Sequence, residues 1–233
     1  MFNLFTDLWY FFFPRFCVLC DERLTKTEQC LCVNCLSELP RTNAHKIKEN
    51  LIEQIFWGCL PIQNATSFFY YTNDEMHSII HKIKYHDQPL IAERLSEIMT
   101  KEILESDFFD EIDIIIPVPV HWHRYIQRGY NQSDYIARGI SRATNIPIGY
   151  RIVERIIDNE SQTRMSSMTR RSNVKDIFRV KRPDEIEGKH VLIVDDVITT
   201  GSTIIALGEE LVKAKGVKIS VISMAYSTSH VIA

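Results

Sequence analysis

"HVLIVDDVITTGSTII", residues 190–205, is an apolar run that stops at two adjacent carboxylates, Asp195 and Asp196, and then breaks into threonine, glycine and serine. Unbroken Val, Leu and Ile before the acids predicts a strand over 191–194 that is buried on both faces, as a parallel strand under helices is. The chain must then turn into a helix beginning near Ser202 or Thr203. The start of that helix offers unpaired N–H groups and the positive end of a dipole, and Gly201 lets the backbone come close to a ligand. Thr199, Thr200, Ser202 and Thr203 add hydroxyl donors, so the turn reads as a cradle for a monophosphate. It is not a P-loop, because G-x-x-x-x-G-K is missing and the turn has no lysine; the dinucleotide pattern G-x-G-x-x-G is missing too. Carboxylates repel phosphate, so Asp195 and Asp196 must face another part of the same ligand, and the cis hydroxyls of a ribose suit them. The plainer alternative, a capping turn with two solvated acids, leaves two charges at the end of a buried strand without partners, which is costly.

Working outward, strands alternate with helices. "ATSFFYY" reads as a strand, "MHSIIHKIKYH" and "LIAERLSEIMTKEILES" have helical spacing, "IDIIIPVPV" is a short apolar run stopped by prolines, and "YNQSDYIARGISRAT" is helical again. "STIIALGEELVKAKG" predicts a helix ending at Gly216, and "VKISVISMAYS" a closing strand. This alternation predicts an α/β domain around a mainly parallel sheet, with ligands at the carboxyl ends of the strands. Two such ends are polar, at 117–129 and 195–203. We expect two domains, a small one over 1–59 and the α/β domain over 60–233.

The 233 residues are 45% apolar, enough for a full core, and 27 basic against 30 acidic residues leave a net charge of -3. That balance gives no global sign of a nucleic-acid or membrane binder. The charge is nevertheless uneven. Residues 93–113 hold eight acids and two bases, whereas 151–182 hold nine bases and four acids, a segment able to meet an anion. The opening "MFNLFTDLWYFFFPRFC" has no basic start, carries Asp7 and loses its apolar run at Pro14, which argues against a signal peptide. A membrane span needs about 20 apolar residues, so none is expected and the protein is read as cytoplasmic. Residues 8–13 read as a short apolar helix packed on its own domain, or as an aromatic docking surface.

Four of the six cysteines form two pairs, Cys17-Val-Leu-Cys20 and Cys32-Val-Asn-Cys35, each with the spacing that aims two thiolates at one tetrahedral metal. This predicts a structural zinc knuckle that needs no open coordination position. Cys30 lies near enough to compete as a ligand. A redox pair lacks the strand and helix pattern it would need, and a disulfide framework does not suit a cytosolic chain. Cys59 stands alone among apolar residues and reads as a buried small hydrophobe.

"VLIVDDVITTGST" resembles the 5-phosphoribosyl 1-pyrophosphate (PRPP) motif of type I phosphoribosyltransferases. Together with "HKIKYHDQPLIAERL", "IIPVPVHWHRYIQRGYNQS", "SQTRMSSMTRRSNVKDIF" and the cysteine pairs, it resembles the ComF family of competence-associated proteins, over nearly the whole chain. The resemblance implies a type I phosphoribosyltransferase-like domain, a mainly parallel sheet flanked by helices, with a small N-terminal zinc-binding domain built on four cysteines. It implies that Asp195 and Asp196 bind the ribose hydroxyls and that Thr199, Thr200, Gly201, Ser202 and Thr203 hold the 5-phosphate. The pyrophosphate falls to the segment from Pro119 onward, with Arg124 and Arg128 as cations and Lys84 as a further candidate. A lid is implied over 158–175, where Gln162, Arg164, Arg170 and Arg171 lie, with Arg164 in a catalytic role beside the two acids. Breaking the bond to pyrophosphate develops charge on both fragments, so cations and Mg2+ on the pyrophosphate are expected to carry catalysis.

Three functions compete. The first is a PRPP-binding transferase with an unidentified acceptor. The second is a single-stranded DNA binder or partner of competence proteins, with the basic 151–182 segment on phosphates and Trp122, Tyr125 and Tyr130 able to stack bases, although packing suits those rings equally. The third is a PRPP sensor without turnover.

Overall fold

Strands made of uninterrupted Val, Ile and Leu need an apolar layer on each face, and the chain supplies both. The structure, a computed structural model, describes residues 12–85, 88–157 and 177–228. Its strands are β1 (Ala65–Tyr70), β2 (Ile114–Pro117), β3 (Val153–Arg155), β4 (Phe178–Val180), β5 (His190–Ile198) and β6 (Lys218–Tyr226). The helices are α1 (Val33–Glu38), α2 (Leu51–Gln54), α3 (Asp74–Tyr85), α4 (Pro89–Ile103), α5 (Trp122–Arg128), α6 (Gln132–Thr144) and α7 (Ser202–Leu211). The main sheet has the order β1-β6-β5-β2 with every pair parallel, and Ile148 extends it by one parallel bridge to Ile115. β3 and β4 form a separate antiparallel pair.

Side chains alternate across β5 and so fix both layers. Leu192 and Val194 enter a cluster with Met76, Ile79 and Ile83 of α3, Leu95 of α4 and Ile136 of α6. Val191 and Ile193 enter the opposite cluster with Ile204, Leu207 and Leu211 of α7 and with Ile52 and Phe56. All are buried, and each such side chain stabilises the fold by about 1.5–3 kcal/mol.

Small residues set the closest approaches. A Cβ on Gly139 of α6 would lie 2.0 Å from Ser96 Oγ and 2.2 Å from the Glu93 carbonyl oxygen, so α4 and α6 touch through backbone. Ser96 Oγ locks the crossing by donating to the Ile136 carbonyl at 3.0 Å. At its edge, buried Glu93 pairs with Arg142 at 2.6 Å. This crossing holds the first turn of α6 over the carboxyl ends of β2 and β5.

Cys17, Leu24, Cys30, Leu31 and Leu39 join the cluster of α3 and α4, and Lys82 donates to the Val18 carbonyl. The cysteine-rich segment therefore has an apolar seat on the α/β core. On the other face, Leu60 fills the space left by Gly208, whose added Cβ would lie 2.3 Å from Leu60 Cδ2.

Some elements depart from the sequence expectations. β5 continues past the apolar run 191–194 through the rest of "HVLIVDDV" and on to Ile198, because the parallel β6 continues beside it, with Asp195 opposite Ser223 and Val197 opposite Ala225. α7 ends at Leu211, not Gly216, which instead sits in the following turn at φ 73°. Cys59 is exposed, not buried. Of residues 8–13, only Phe12 and Phe13 are described, and both are exposed. The stretch expected to form a lid, 158–175, lies outside the described residues, together with Gln162, Arg164, Arg170 and Arg171. No helix among the described residues is long and apolar enough to cross a membrane.

Candidate functional site

The carboxyl end of β2 lies beside Val194 of β5, tied by a hydrogen bond from the Val118 N–H to the Val194 carbonyl at 2.9 Å. Asp195 and Asp196 come next, inside β5 and still beside β6. The Asp195 carboxylate accepts from Ser133 Oγ at 3.3 Å and from the Asp196 N–H at 2.9 Å. Asp196 accepts from the Val197 N–H at 2.7 Å and pairs with the Lys84 ammonium at 2.9 Å. Asp195 keeps an accessible edge, yet protein atoms surround it closely enough that desolvation dominates its titration. Burial first, and then the charge of Asp196, push its carboxyl up to about 7, with Lys84, Ser133 and the Asp196 N–H pulling the other way. Burial works against the Lys84 ammonium, but Asp196 and Asp195 outweigh it and hold it above its ordinary value despite the nearby charge of Arg128.

After Ile198 the chain turns through exposed Thr199 and Thr200 to Gly201, the residue preceding α7. Gly201 sits at φ 71°, and an added Cβ would lie 2.6 Å from Ile55 Cγ2 and 3.2 Å from Phe56 Cε1. Both the backbone conformation and the contact with the 51–60 segment thus require glycine here. Thr200 Oγ1 and Ser202 Oγ lie 2.7 Å apart and preset the hydroxyls of the turn. Gly201 offers no side chain to cap α7; the Ser202 N–H reaches Thr200 Oγ1 at a long 3.5 Å, and the N–H groups that follow in the first turn are left for an anion.

The segment after β2 carries the remaining candidates. Arg124 and Arg128 lie on α5, half-buried, and Arg128 stacks over the Tyr85 ring at 5.4 Å to its centroid, next to Lys84 in sequence. α5 itself escapes the sequence reading; His121 caps its start and Gly129, at φ 82°, ends it. Trp122 is 63% and Tyr125 49% exposed, whereas Tyr130 is buried with its hydroxyl donating to the Ile83 carbonyl and cannot stack a base. Ser133 is a partner of the acid pair that the sequence does not disclose: nothing in "YNQSDY" marks it, because its role depends on the α4–α6 crossing.

The sulfurs of Cys17, Cys20, Cys32 and Cys35 all lie within 4.8 Å of one another. Four thiolates around zinc at about 2.3 Å stand about 3.8 Å apart, so the cluster fits a structural zinc knuckle. The backbone supports it: the Cys32 N–H points at Cys17 Sγ at 3.4 Å and the Cys35 N–H at Cys32 Sγ at 3.5 Å. Burial works to raise the Cys17 thiol, but N–H groups of Cys20, Cys32 and Leu19 outweigh it and bring it to about 7. Burial and the neighbouring thiols push Cys35 well up, the crowding that a bound cation relieves. Cys30 stays out of the cluster and packs in the core, where burial pushes its thiol up to about 12.

Comparison with known proteins gives a match to the phosphoribosyl transferase domain over residues 83–229. The chain is also 30% identical over 200 residues to the DNA utilization protein YhgH of Escherichia coli K12, covering 84% of each. The chain belongs to the ComF family of phosphoribosyl transferase-domain proteins. This ComF-type chain is 33% identical over 130 residues to competence protein F of Haemophilus influenzae, covering 54% of this chain and 57% of that one. It is 23% identical over 214 residues to competence protein ComFC of Bacillus subtilis, covering 81% and 85%. Among solved structures it is similar to the allosteric regulatory enzyme of purine biosynthesis, at 20% identity and TM-score 0.40, covering 60% of this chain and 29% of that one. The phosphoribosyl transferase domain match over 83–229 takes in Lys84, β2, α5 and the whole acid-pair turn.

Proposed function

We propose that this ComF-type protein binds PRPP with Mg2+ and transfers its phosphoribosyl group to a small acceptor, releasing pyrophosphate, in a role linked to DNA uptake. One observation carries the reading: two adjacent, half-buried carboxylates lie near the carboxyl end of a parallel strand and are followed within a few residues by a glycine-gated turn of hydroxyl residues into a helix start. Asp195 and Asp196 accept hydrogen bonds from ribose hydroxyls, and Thr199, Thr200, Gly201, Ser202 and Thr203 hold the 5-phosphate. Lys84, Arg124 and Arg128 face the pyrophosphate, and Arg164 joins them from 158–175. The zinc unit, 1–59, supports the transferase unit, 60–233, without taking part in the chemistry.

The acid pair suits Mg2+ held by few carboxylates. Among the described residues, the cysteines form the metal-type cluster and no cage of three or more acids surrounds Asp195. Magnesium keeps several waters and takes further ligands from phosphates, and it supplies charge neutralisation on the leaving pyrophosphate. The chain's own residues fix the ribose and place cations beside the leaving group. Calorimetric titration with PRPP, with and without Mg2+, followed by a pyrophosphate-release screen of amine and base acceptors, tests the reading. Magnesium-dependent binding with release supports it; binding without release for any acceptor would leave a sensor, and no binding would remove it.

A second reading is favoured by exposed Trp122 and Tyr125 on α5 beside Arg124 and Arg128. Such a face suits single-stranded DNA, and relatives bear the names DNA utilization protein and competence protein. Salt-dependent binding of an oligonucleotide that survives loss of the acid pair would favour this role, or one beside competence proteins.

A further inference from the structure

Beside the first turn of α6 lies a cavity of about 810 Å³ that borders Pro119 and Val120 of the pyrophosphate segment but is lined by none of the charged side chains assigned to PRPP. Its size falls in the range of small-molecule sites, about 300–1,000 Å³. The first turn of α6 is the wall between this cavity and the acid pair: Ser133 turns to Asp195, while Asn131 and Asp134 turn to the cavity.

This wall is built rather than incidental. Asn131 is 5% exposed, and its amide donates to the Val118 carbonyl at 3.0 Å and to Asp134 Oδ1 at 2.9 Å, which aims the Asp134 carboxylate. The Asn131 oxygen, buried, has no protein partner. Burial holds the Asp134 carboxyl above its usual range, so it gains from a donor that reaches it. Three arginines line the cavity with this one acid: Arg138, one turn along α6 from Asp134, and Arg151 and Arg182 from other segments. Arg151 is held in the left-handed region at φ 63°, a conformation that costs free energy for a residue with a Cβ. Two half-open rings complete the lining, Tyr125 at 49% and Tyr150 at 42% exposed, and the Tyr150 hydroxyl accepts from Arg138 Nε at 3.3 Å.

We propose that this cavity is a second ligand site, for a phosphomonoester carrying a flat ring with an amino or N–H edge. The arginines bind the phosphate, a tyrosine ring stacks on the ligand ring, and Asp134 accepts from the ligand's N–H group. Because Ser133 and Asp134 are neighbours in one helical turn, the second ligand and the acid pair share a rigid wall. The site goes beyond the PRPP reading and stands without it.

Adenosine 5′-monophosphate is the probe, titrated calorimetrically into the full-length, zinc-loaded chain. It should bind the wild type. Arg138→Ala with Arg151→Ala should weaken binding about tenfold or more. Asp195→Asn with Asp196→Asn should leave it within about twofold, which separates this site from the phosphoribosyl site. Adenosine, without the phosphate, should bind at least about tenfold more weakly. If the double arginine variant fails to fold, Arg182→Ala, whose ion-pair partner Glu185 lies outside the lining, serves in its place and should weaken binding about threefold or more. No binding to wild type at millimolar probe, affinity unchanged in the arginine variants, or binding lost only with the acid pair would each overturn the proposal.

Discussion

Lys84 Nζ lies 2.9 Å from Asp196 Oδ2, so the last turn of α3 brings a cation to the end of β5. Both side chains are more than two-thirds buried, at 25% and 17% exposure, which keeps solvent from screening the pair fully. Lys84→Ala leaves Asp196 without its partner and should cost about 1–3 kcal/mol of stability. Denaturant midpoints at constant slope measure it, and Lys84→Arg should recover part of the loss. An alanine variant as stable as the wild type would show that the pair is solvated.

Asp195 gives a pH signature. Its carboxyl is raised in the folded state from 3.8 to about 7, so folding favours the protonated form. The stability it allows is fully present below the unfolded value, falls as pH rises from about 4, and is gone above about 7. Asp195→Asn removes that charge, so the variant should gain on the wild type in Tm progressively between pH 4 and 7 and hold a constant advantage above. A difference in Tm that does not change with pH would contradict the buried setting of this acid.

Gly201→Ala meets both a positive φ and the side chains of Ile55 and Phe56. It should destabilise the fold by about 1–3 kcal/mol and weaken PRPP binding more than a distant variant of equal stability. Equal affinity at matched stability would separate the turn from the ligand.

Zinc content distinguishes the cysteines. Cys30→Ala should keep one zinc per chain by elemental analysis, because Cys30 lies outside the sulfur cluster. Cys32→Ala should lose it and lower the thermal midpoint, since Cys32 anchors contacts to Cys17, Cys20 and Cys35. The opposite pattern would put Cys30 in the ligand set.

Much of the fold is legible in "HVLIVDDVITTGSTII", because a two-sided buried strand has an unbroken apolar signature and glycine marks a required backbone turn. The spacing of Cys17, Cys20, Cys32 and Cys35 likewise carries its meaning locally. What the sequence hides is set by tertiary contact. The extension of β5 to Ile198 follows from its pairing with β6, and the three-residue β3 and β4 are too short for a periodic signal. Ser133 reaches Asp195 only because Gly139 lets α6 lie against α4. Cys59 lies among apolar neighbours in sequence but on the surface in space.

The most direct test of the central claim is the PRPP affinity of Asp195→Asn with Asp196→Asn, measured with Mg2+ beside the wild type and beside single-stranded DNA binding by the same samples. Loss of PRPP binding by about a hundredfold or more, with DNA binding within about twofold, is the expected result. Unchanged PRPP affinity in a folded double variant would contradict the assignment of these acids to the ribose.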